Sequence, residues 1–486
     1  MIEGGNMKII SLILLLLIIT FTILSCANSD SPNNPTKNGD ETANETTDTV
    51  VDQAPEKKDF AGYDFRFMAI ENKEARLYVS DELTGDTIND AVYIRNRAVE
   101  DKYNITISLV LYEGNNAGLV SAVTKNVQAD IDTGDIALIQ AHSLFPVAQQ
   151  GFLHNWFDYD EVRLEKPWWD QRINKELEIK NKLYTIIGEF TTSASLGTMV
   201  VFYNKKLAND YGHDNIYNSV IDGKWTFDSF WNMVVNTKED LNGDGKMDQN
   251  DLWGLLTEYS ALYYFYNGSG YRSIQPKGNN EYVLTIGTEK AYSIVEKILV
   301  IGTEKNYSLI ADDGKLAGSY DTTNGMFIAD QGLFYAGAFN DITRYRVMQS
   351  DYGVLPIPKY EEPQDSYYCL VTWGVQPATM PISVTDPNRT ALILEALAYE
   401  SSLGLKDAFY EVFLVDKLAR DNETKTMFDI IFASKTFDLD WYAGISGFLK
   451  ILNTIGQTGN NNFASENAKI EIQAQAKLDE FLSKFN

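Results

Sequence analysis

The stretch DLNGDGKMDQND, residues 240–251, carries the sharpest chemical signal in the chain. A calcium loop of the EF-hand kind places oxygen donors at loop positions 1, 3, 5, 7, 9 and 12 and a glycine at position 6. Those places hold Asp240, Asn242, Asp244, Lys246, Asp248 and Asp251, with Gly245 at the turn. Lys246 is no objection, because position 7 contributes its backbone carbonyl. Ca²⁺ is a hard cation that takes six to eight oxygens, and short carboxylates and amides at alternate places can surround it. The spacing therefore predicts a bound Ca²⁺. Asp251 stands where the pattern has Glu, and its shorter side chain is expected to reach the ion through water. Met247 is expected to face the core. The plain alternative is a polar, glycine-rich turn between a helix and a strand.

The flanks say what such a loop would do. Upstream, TFDSFWNMVVNT reads as an amphipathic helix capped by Thr226; downstream, DLWGLL reads as a buried strand. Sensors pair their loops, and this chain has no second copy. A structural clip is expected, not a switch. Thiol chemistry finds little support. Beyond Cys26 the single cysteine is Cys369, inside the apolar run SYYCLVTWGV, and the chain holds three histidines, His142, His154 and His213. A buried structural Cys369 is expected.

The elements that must carry these residues alternate. YDFRFMAI (63–70) reads as a strand, GDTINDAVYIRNRAVEDKYN as a helix, ITISLVL (105–111) as a strand, AGLVSAVTKNVQA as a helix and DIALIQA (135–141) as a buried strand. That succession implies an α/β fold built on mainly parallel sheets with helices on both faces. KLYTIIGEF and TMVVFYNKKLANDYG follow, and EKAYSIVEKILVIGTEK reads as a further helix. The part after about residue 387 reads as mostly helical. Its last helix is expected to start at Ser465, with Ile470, Ala474, Leu478 and Phe481 on one face.

The ends and the composition bound the function. MKIISLILLLLIITFTILSC has one Lys, an apolar run from Ile9 to Leu24, and then Cys26. It resembles a bacterial lipoprotein signal, which implies removal of residues 1–25 and lipidation of Cys26. Residues 26–58 are polar, rich in Asn, Thr, Asp and Pro, and read as a tether. The chain carries 41 basic and 68 acidic residues, a net charge of −27. That charge argues against nucleic acid as a partner and against electrostatic attachment to anionic lipid, leaving the lipid on Cys26 as the membrane anchor. Aromatics are abundant, with 28 Tyr and 8 Trp, and they suit stacking on sugar rings as well as cores.

Taken in order, GDTINDAVYIRNRAVEDKYNI, TMVVFYNKKLANDYG, QGLFYAGAF, DYGVLPIPKY, TWGVQPATMPI and the C-terminal helices resemble the extracellular solute-binding lipoproteins of ABC importers, in their large carbohydrate-binding group. The likeness covers most of the folded part. It implies a periplasmic-binding-protein-like fold of two lobes with the ligand cleft between them. Residues 59–195 and 374–430 would form the first lobe, and residues 196–373 and 431–486 the second. It implies a monomer that captures a carbohydrate, expected to be an oligosaccharide, by hinge closure. The protein would deliver it to the permease of an ABC importer on the outer face of the cytoplasmic membrane. Some members of the group carry a calcium loop in the same region of the second lobe.

Ligands of α/β sheets meet the carboxyl ends of the strands. That rule selects Glu71 and Asn72, His142, Glu189 and Phe190, and Phe339, with Trp373 at the return crossing. Trp168 and Trp169 in KPWWD and the cluster Tyr263, Tyr264 and Tyr266 are candidate stacking walls, Tyr264 being the one chosen to face the cleft. Each has a plain alternative in core packing or local hydrogen bonding. Two other functions fit the composition. A surface-attached glycoside hydrolase would need two carboxylates about 5–10 Å apart, but no eightfold strand–helix succession is present. A calcium-dependent envelope adhesin would show no small ligand.

Overall fold

Tyr63–Ile70 forms β1 at the centre of the first sheet, and its last four residues are all buried. Continuous burial of this kind marks a parallel strand covered on both faces. The computed structural model describes residues 54–72, 75–311, 319–414 and 423–485. The signal segment, Cys26 and nearly all of the tether lie outside the described residues. Helix α1 (Thr87–Tyr103) starts at Asp86, whose side chain accepts the Asn89 N–H, and ends at Asn104 in the left-handed conformation. It returns the chain to β2 (Ile105–Tyr112), which pairs in parallel with the whole of β1. Helix α2 (Asn116–Gln128) leads to β3 (Ile136–Ala137), giving the order β2-β1-β3.

The strand expected over 135–141 is shorter than its apolar run. Only Ile136 and Ala137 pair with β1. The returning segment takes the other edge: Ala137 N–H donates to Thr379 O (2.8 Å) and Ala141 N–H to Val375 O (2.9 Å), while Leu138 N–H still donates to Met68 O of β1 (2.9 Å). KLYTIIGEF forms no ladder either; Ile186 bridges Ala378 and Gly188 bridges Trp169. Trp168 and Trp169 lie in a turn before helix α3 (Gln171–Leu177), not on it.

The second sheet contains β4 (Met199–Asn204), β5 (Trp253–Thr257), β6 (Ser308–Ile310), β7 (Gly332–Ala338) and β8 (Tyr352–Leu355), in the order β8-β4-β7-β5-β6. β5 runs parallel to β6 and β7, while β4 runs against β7 and β8. The reversal follows from the chain's path. β4 is the strand by which the chain enters this sheet from the first one, and its first residue, Met199, lies opposite Ala338, the last of β7. Helix α4 (Phe227–Asn236) is capped by Thr226, with Ser229 returning a reciprocal bond. Loop 240–251 joins α4 to β5.

The C-terminal part is helical as expected. Helices α5 (Pro387–Ser402) and α6 (Leu405–Leu414) pack on α1. They are followed by α7 (Glu423–Ala433), α8 (Leu439–Ala443), α9 (Phe448–Thr458) and α10 (Phe463–Ser483). The last helix begins after Asn462, not at Ser465. Phe463 is drawn into its first turn by packing on Tyr292 and Phe448. At the other end of α10, Phe481 meets Phe145. Cys369 is fully buried and its thiol is pushed up to about 12 by that burial, the state of a structural residue. Among the described residues no helix is long and apolar enough to cross a membrane.

One carboxylate ties the first lobe together. Glu395, on α5 and fully buried, accepts the indole N–H of Trp168 (3.1 Å) and of Trp169 (2.8 Å) and pairs with Arg163 Nε (2.8 Å). A second, Glu176 on α3, accepts the Phe437 N–H and faces Arg272 (3.7 Å), with Asp438 and Arg172 nearby. Burial pushes the Glu176 carboxyl up to about 7, against the opposing pull of Arg272. The raised value means that folding favours its protonated form. Its contribution is therefore full below the ordinary carboxylate range and is lost as the pH rises through about 7. Glu176→Gln is expected to flatten the fall in stability between pH 5 and pH 8 by about 1–3 kcal/mol. Unfolding curves of the two proteins that stay parallel across that range would contradict the assignment.

Candidate ligand cleft

The carboxyl ends of both sheets converge on two connecting segments. The first leads into β4 and the second runs back from residue 371 to 379. Thr372 N–H donates to Gly197 O (2.7 Å), Thr198 bridges Val371, and Phe339 N–H donates to Thr198 O (2.8 Å). The start of β4, the end of β7 and the returning segment thus lie side by side. Val375 O and Gln376 O receive Ala141 N–H and the Tyr78 hydroxyl from the first lobe. Residues from both lobes are therefore brought to one seam by main-chain bonds.

On the first-lobe side, β3 runs into Gln140–Ser143. The His142 ring stands edge-on to Trp373, with centroids 4.8 Å apart, and its Nδ1 lies 3.3 Å from Trp373 O. Trp373 is 48% exposed, the largest aromatic side chain left open to solvent in this region, and an indole face at that exposure can stack on a ligand. Glu71 and Asn72 follow β1 and are exposed.

On the second-lobe side, Glu258 follows β5 and Asp341 lies in the turn after β7. Glu258 accepts the Tyr264 hydroxyl, and Asp341 accepts the Tyr320 hydroxyl. Arg344 reaches Asp341 (3.3 Å) and Asp321 (2.8 Å). Burial pushes Asp341 up to about 6, opposed by the Tyr320 hydrogen bond and by Arg344. Burial and the Asp341 charge likewise push the Tyr320 phenol up. A carboxylate held by a phenol is an oriented acceptor for hydroxyl groups; Glu258 is half-buried, while Asp341 is buried.

No family model matches the chain, and no curated protein matches it either. Solved structures do. The sugar-binding protein MalE from Xanthomonas citri superposes at a TM-score of 0.61 and 13% identity, over 87% of this chain and 98% of its own. A cyclo/maltodextrin-binding protein complexed with maltotetraose gives 0.55 at 15% identity, over 86% of this chain and 96% of its own. An ABC substrate-binding protein from Listeria monocytogenes in complex with cycloalternan gives 0.55 at 12% identity, over 85% and 99%. The chain has the fold of these binding proteins.

Within this fold the sequence-selected residues fall into two groups. His142 and Trp373 meet at the seam, and Glu71 and Asn72 stand at the end of β1. The others are spent elsewhere. Trp168 is buried against Tyr399 and bonded to Glu395, so it cannot wall a cleft. Phe190 is buried between Tyr78 and Trp169, with its carbonyl on Arg95. Tyr264 is buried edge-on to Trp441, acting through Glu258 rather than by stacking. Phe339 turns away from the seam into Phe409, Phe413, Phe428 and Phe432. Apolar rings next to a packed aromatic cluster gain more by burial than by standing in water. Glu189 pairs with Lys406 (3.1 Å) and lines a cavity of about 900 Å³ beyond Phe339, not the seam itself. Sequence reasoning missed Glu258, Tyr320, Asp341 and Arg344. For the first and third, a strand-end position one to three residues past an apolar run was the available signal.

The 240–251 loop folds on its own oxygens. Asp240 accepts Gly243 and Gly245 N–H (both 2.7 Å), Asn242 accepts Asp244 N–H (2.9 Å), and Asp244 accepts Lys246 N–H (2.9 Å). Asp251, fully buried, accepts Leu241 N–H (3.0 Å) and Asp248 N–H (2.7 Å), pinning both limbs. Gly243 and Gly245 take φ of +72° and +79°, which the tight path requires. Met247 is half-buried against the core. The donor types and the turn fit a hard cation. Among the described residues, however, no three acidic, His or Cys side chains are gathered into a metal-holding group.

Proposed function

We propose that the chain is the solute-binding component of an ABC importer and that it captures an oligosaccharide between its lobes. The observation that carries this is the seam itself. An open indole meets an imidazole at the seam, and phenol-held carboxylates stand after β5 and β7 at the ends of the second sheet, in a fold whose solved neighbours hold maltotetraose and cycloalternan. Sugars present hydroxyls to such acceptors and apolar ring faces to indoles. Closure of the lobes on the ligand is the signal the permease reads. Cys26 anchors the protein by its lipid to the outer face of the cytoplasmic membrane, and the protein acts as a monomer.

The test is a titration of residues 54–486 with maltooligosaccharides and other neutral glycans, reading tryptophan fluorescence and heat. A saturable one-to-one response with glycan recovered intact supports the reading. Recovery of cleaved product would make the protein a hydrolase, and silence across the panel would remove sugar as the ligand.

Loop 240–251 is proposed to hold a structural Ca²⁺ through Asp240, Asn242, Asp244, the Lys246 carbonyl and Asp248, with Asp251 orienting the loop. Saturating Ca²⁺ at a hundredfold excess over Kd is expected to stabilise the fold by about 2.7 kcal/mol. Asp244→Ala is expected to abolish that gain while leaving the melting temperature in EDTA nearly unchanged. Identical melting of the parent protein in Ca²⁺ and in EDTA would refute the site.

A further inference from the structure

The 900 Å³ cavity beyond Phe339 is not used by the cleft. Its floor is the first connecting segment, from Glu189 to Ser195, and its opposite wall is made by α6 and α7. Phe339 separates the two places. Its N–H serves the seam, while its ring packs on Phe409 and Phe432, which line the cavity. The space opens to solvent and is of the size that ligand pockets have, so a small guest can enter it.

The lining says what that occupant is. Tyr410 and Phe432, both half-buried, supply ring surfaces, with Trp169 and Phe409 buried behind them. Between them stand polar groups already paired across the walls: Glu189 with Lys406, Asp170 with Lys435 (2.8 Å), and Tyr410 with Asp429 (3.1 Å). Four cations line the cavity against five carboxylates, a near balance that disfavours a strongly charged guest. In the walls, Arg172 Nη1 and Thr192 Oγ1 are buried without a hydrogen-bond partner among the described residues, an unusual cost unless something else satisfies them. Alternating ring faces and hydrogen-bonding pairs match a neutral polyhydroxylated ring.

We infer that this cavity is a second ligand site, distinct from the strand-end cleft, taking a neutral saccharide of one or two rings. An occupant would touch the segment that leads directly into β4, and so would sit against the path along which the lobes move.

The test uses native mass spectrometry of residues 54–486 with glucose, galactose, mannose, maltose, cellobiose and lactose together, scoring the number of bound sugars. Ser195→Trp fills the cavity from its half-exposed rim, and Lys406→Glu breaks the pair with Glu189. Trp373→Ala disables the cleft alone. Two sugars bound to the parent protein, one to Trp373→Ala and one to either cavity variant, are expected, with a loss of at least tenfold in the affected affinity. A single site abolished by Trp373→Ala overturns the inference and leaves the proposed function standing. A single site abolished only by the cavity variants overturns the cleft and leaves the cavity. No binding in the parent protein refutes the cavity as a saccharide site. Thermal melting of each variant checks that it folds.

Discussion

Trp373→Ala is expected to weaken glycan binding by roughly thirtyfold while leaving the fold intact. The indole is 48% exposed and stands at the returning segment, where both lobes meet. Covering one indole face removes on the order of 100 Å² of apolar surface from water, worth about 2 kcal/mol. The same exposure means that truncation leaves no cavity in a core, so stability should change by less than about 1 kcal/mol. Calorimetric titration gives the affinity, and thermal melting gives the control. Unchanged affinity with unchanged melting would take Trp373 out of the cleft. His142→Ala should follow in the same direction with a smaller loss, because its ring supports the indole edge-on at 4.8 Å.

The largest effect on stability is expected at Glu395. Its two oxygens hold Trp168 Nε1, Trp169 Nε1 and Arg163 Nε, and nothing of it reaches solvent. Glu395→Ala leaves two buried indole N–H groups without their acceptor, removes the carboxylate from Arg163 and opens a void among them. Breaking one side of such a buried pair costs about 3–5 kcal/mol. Glu395→Gln keeps the shape and one acceptor oxygen and should fall between. Urea unfolding measures both. A loss under 1 kcal/mol for the alanine variant would mean that the indoles find other partners. Because Trp169 also lines the cavity, the same variant should disturb saccharide binding there before it disturbs the cleft.

The sequence was readable where a local rule has a local cause. β1 over 63–70, the capped helix after Thr226 and the buried Cys369 follow from alternation, capping chemistry and an apolar surround, each decided within a few residues. The rule that ligands meet strand ends selected His142, and the return crossing selected Trp373; the two rings meet at the seam. The rule could not say which way a side chain turns once the strand is over. Phe339 and Asp341 lie two residues apart in one turn, and the structure sends the phenyl ring into the helical cluster and the carboxylate to Tyr320. Trp168 and Trp169, adjacent aromatics that read as a stacking wall, are both captured by a carboxylate on a helix more than two hundred residues later in the chain.

By itself the sequence determined the α/β alternation, the acidic surface, the loop spacing at 240–251 and the approximate places where strands end, because propensity, charge and periodicity act over short stretches. Only the tertiary structure decided that DIALIQA would pair with β1 for two residues and take the returning segment on its other edge. It also decided that β4 would run against its neighbours and that Tyr320 and Arg344 would meet on Asp341 while Tyr264 met Glu258. Those outcomes depend on which distant segment offers the better hydrogen bond or buries more surface, a competition settled between parts of the chain that no local pattern connects.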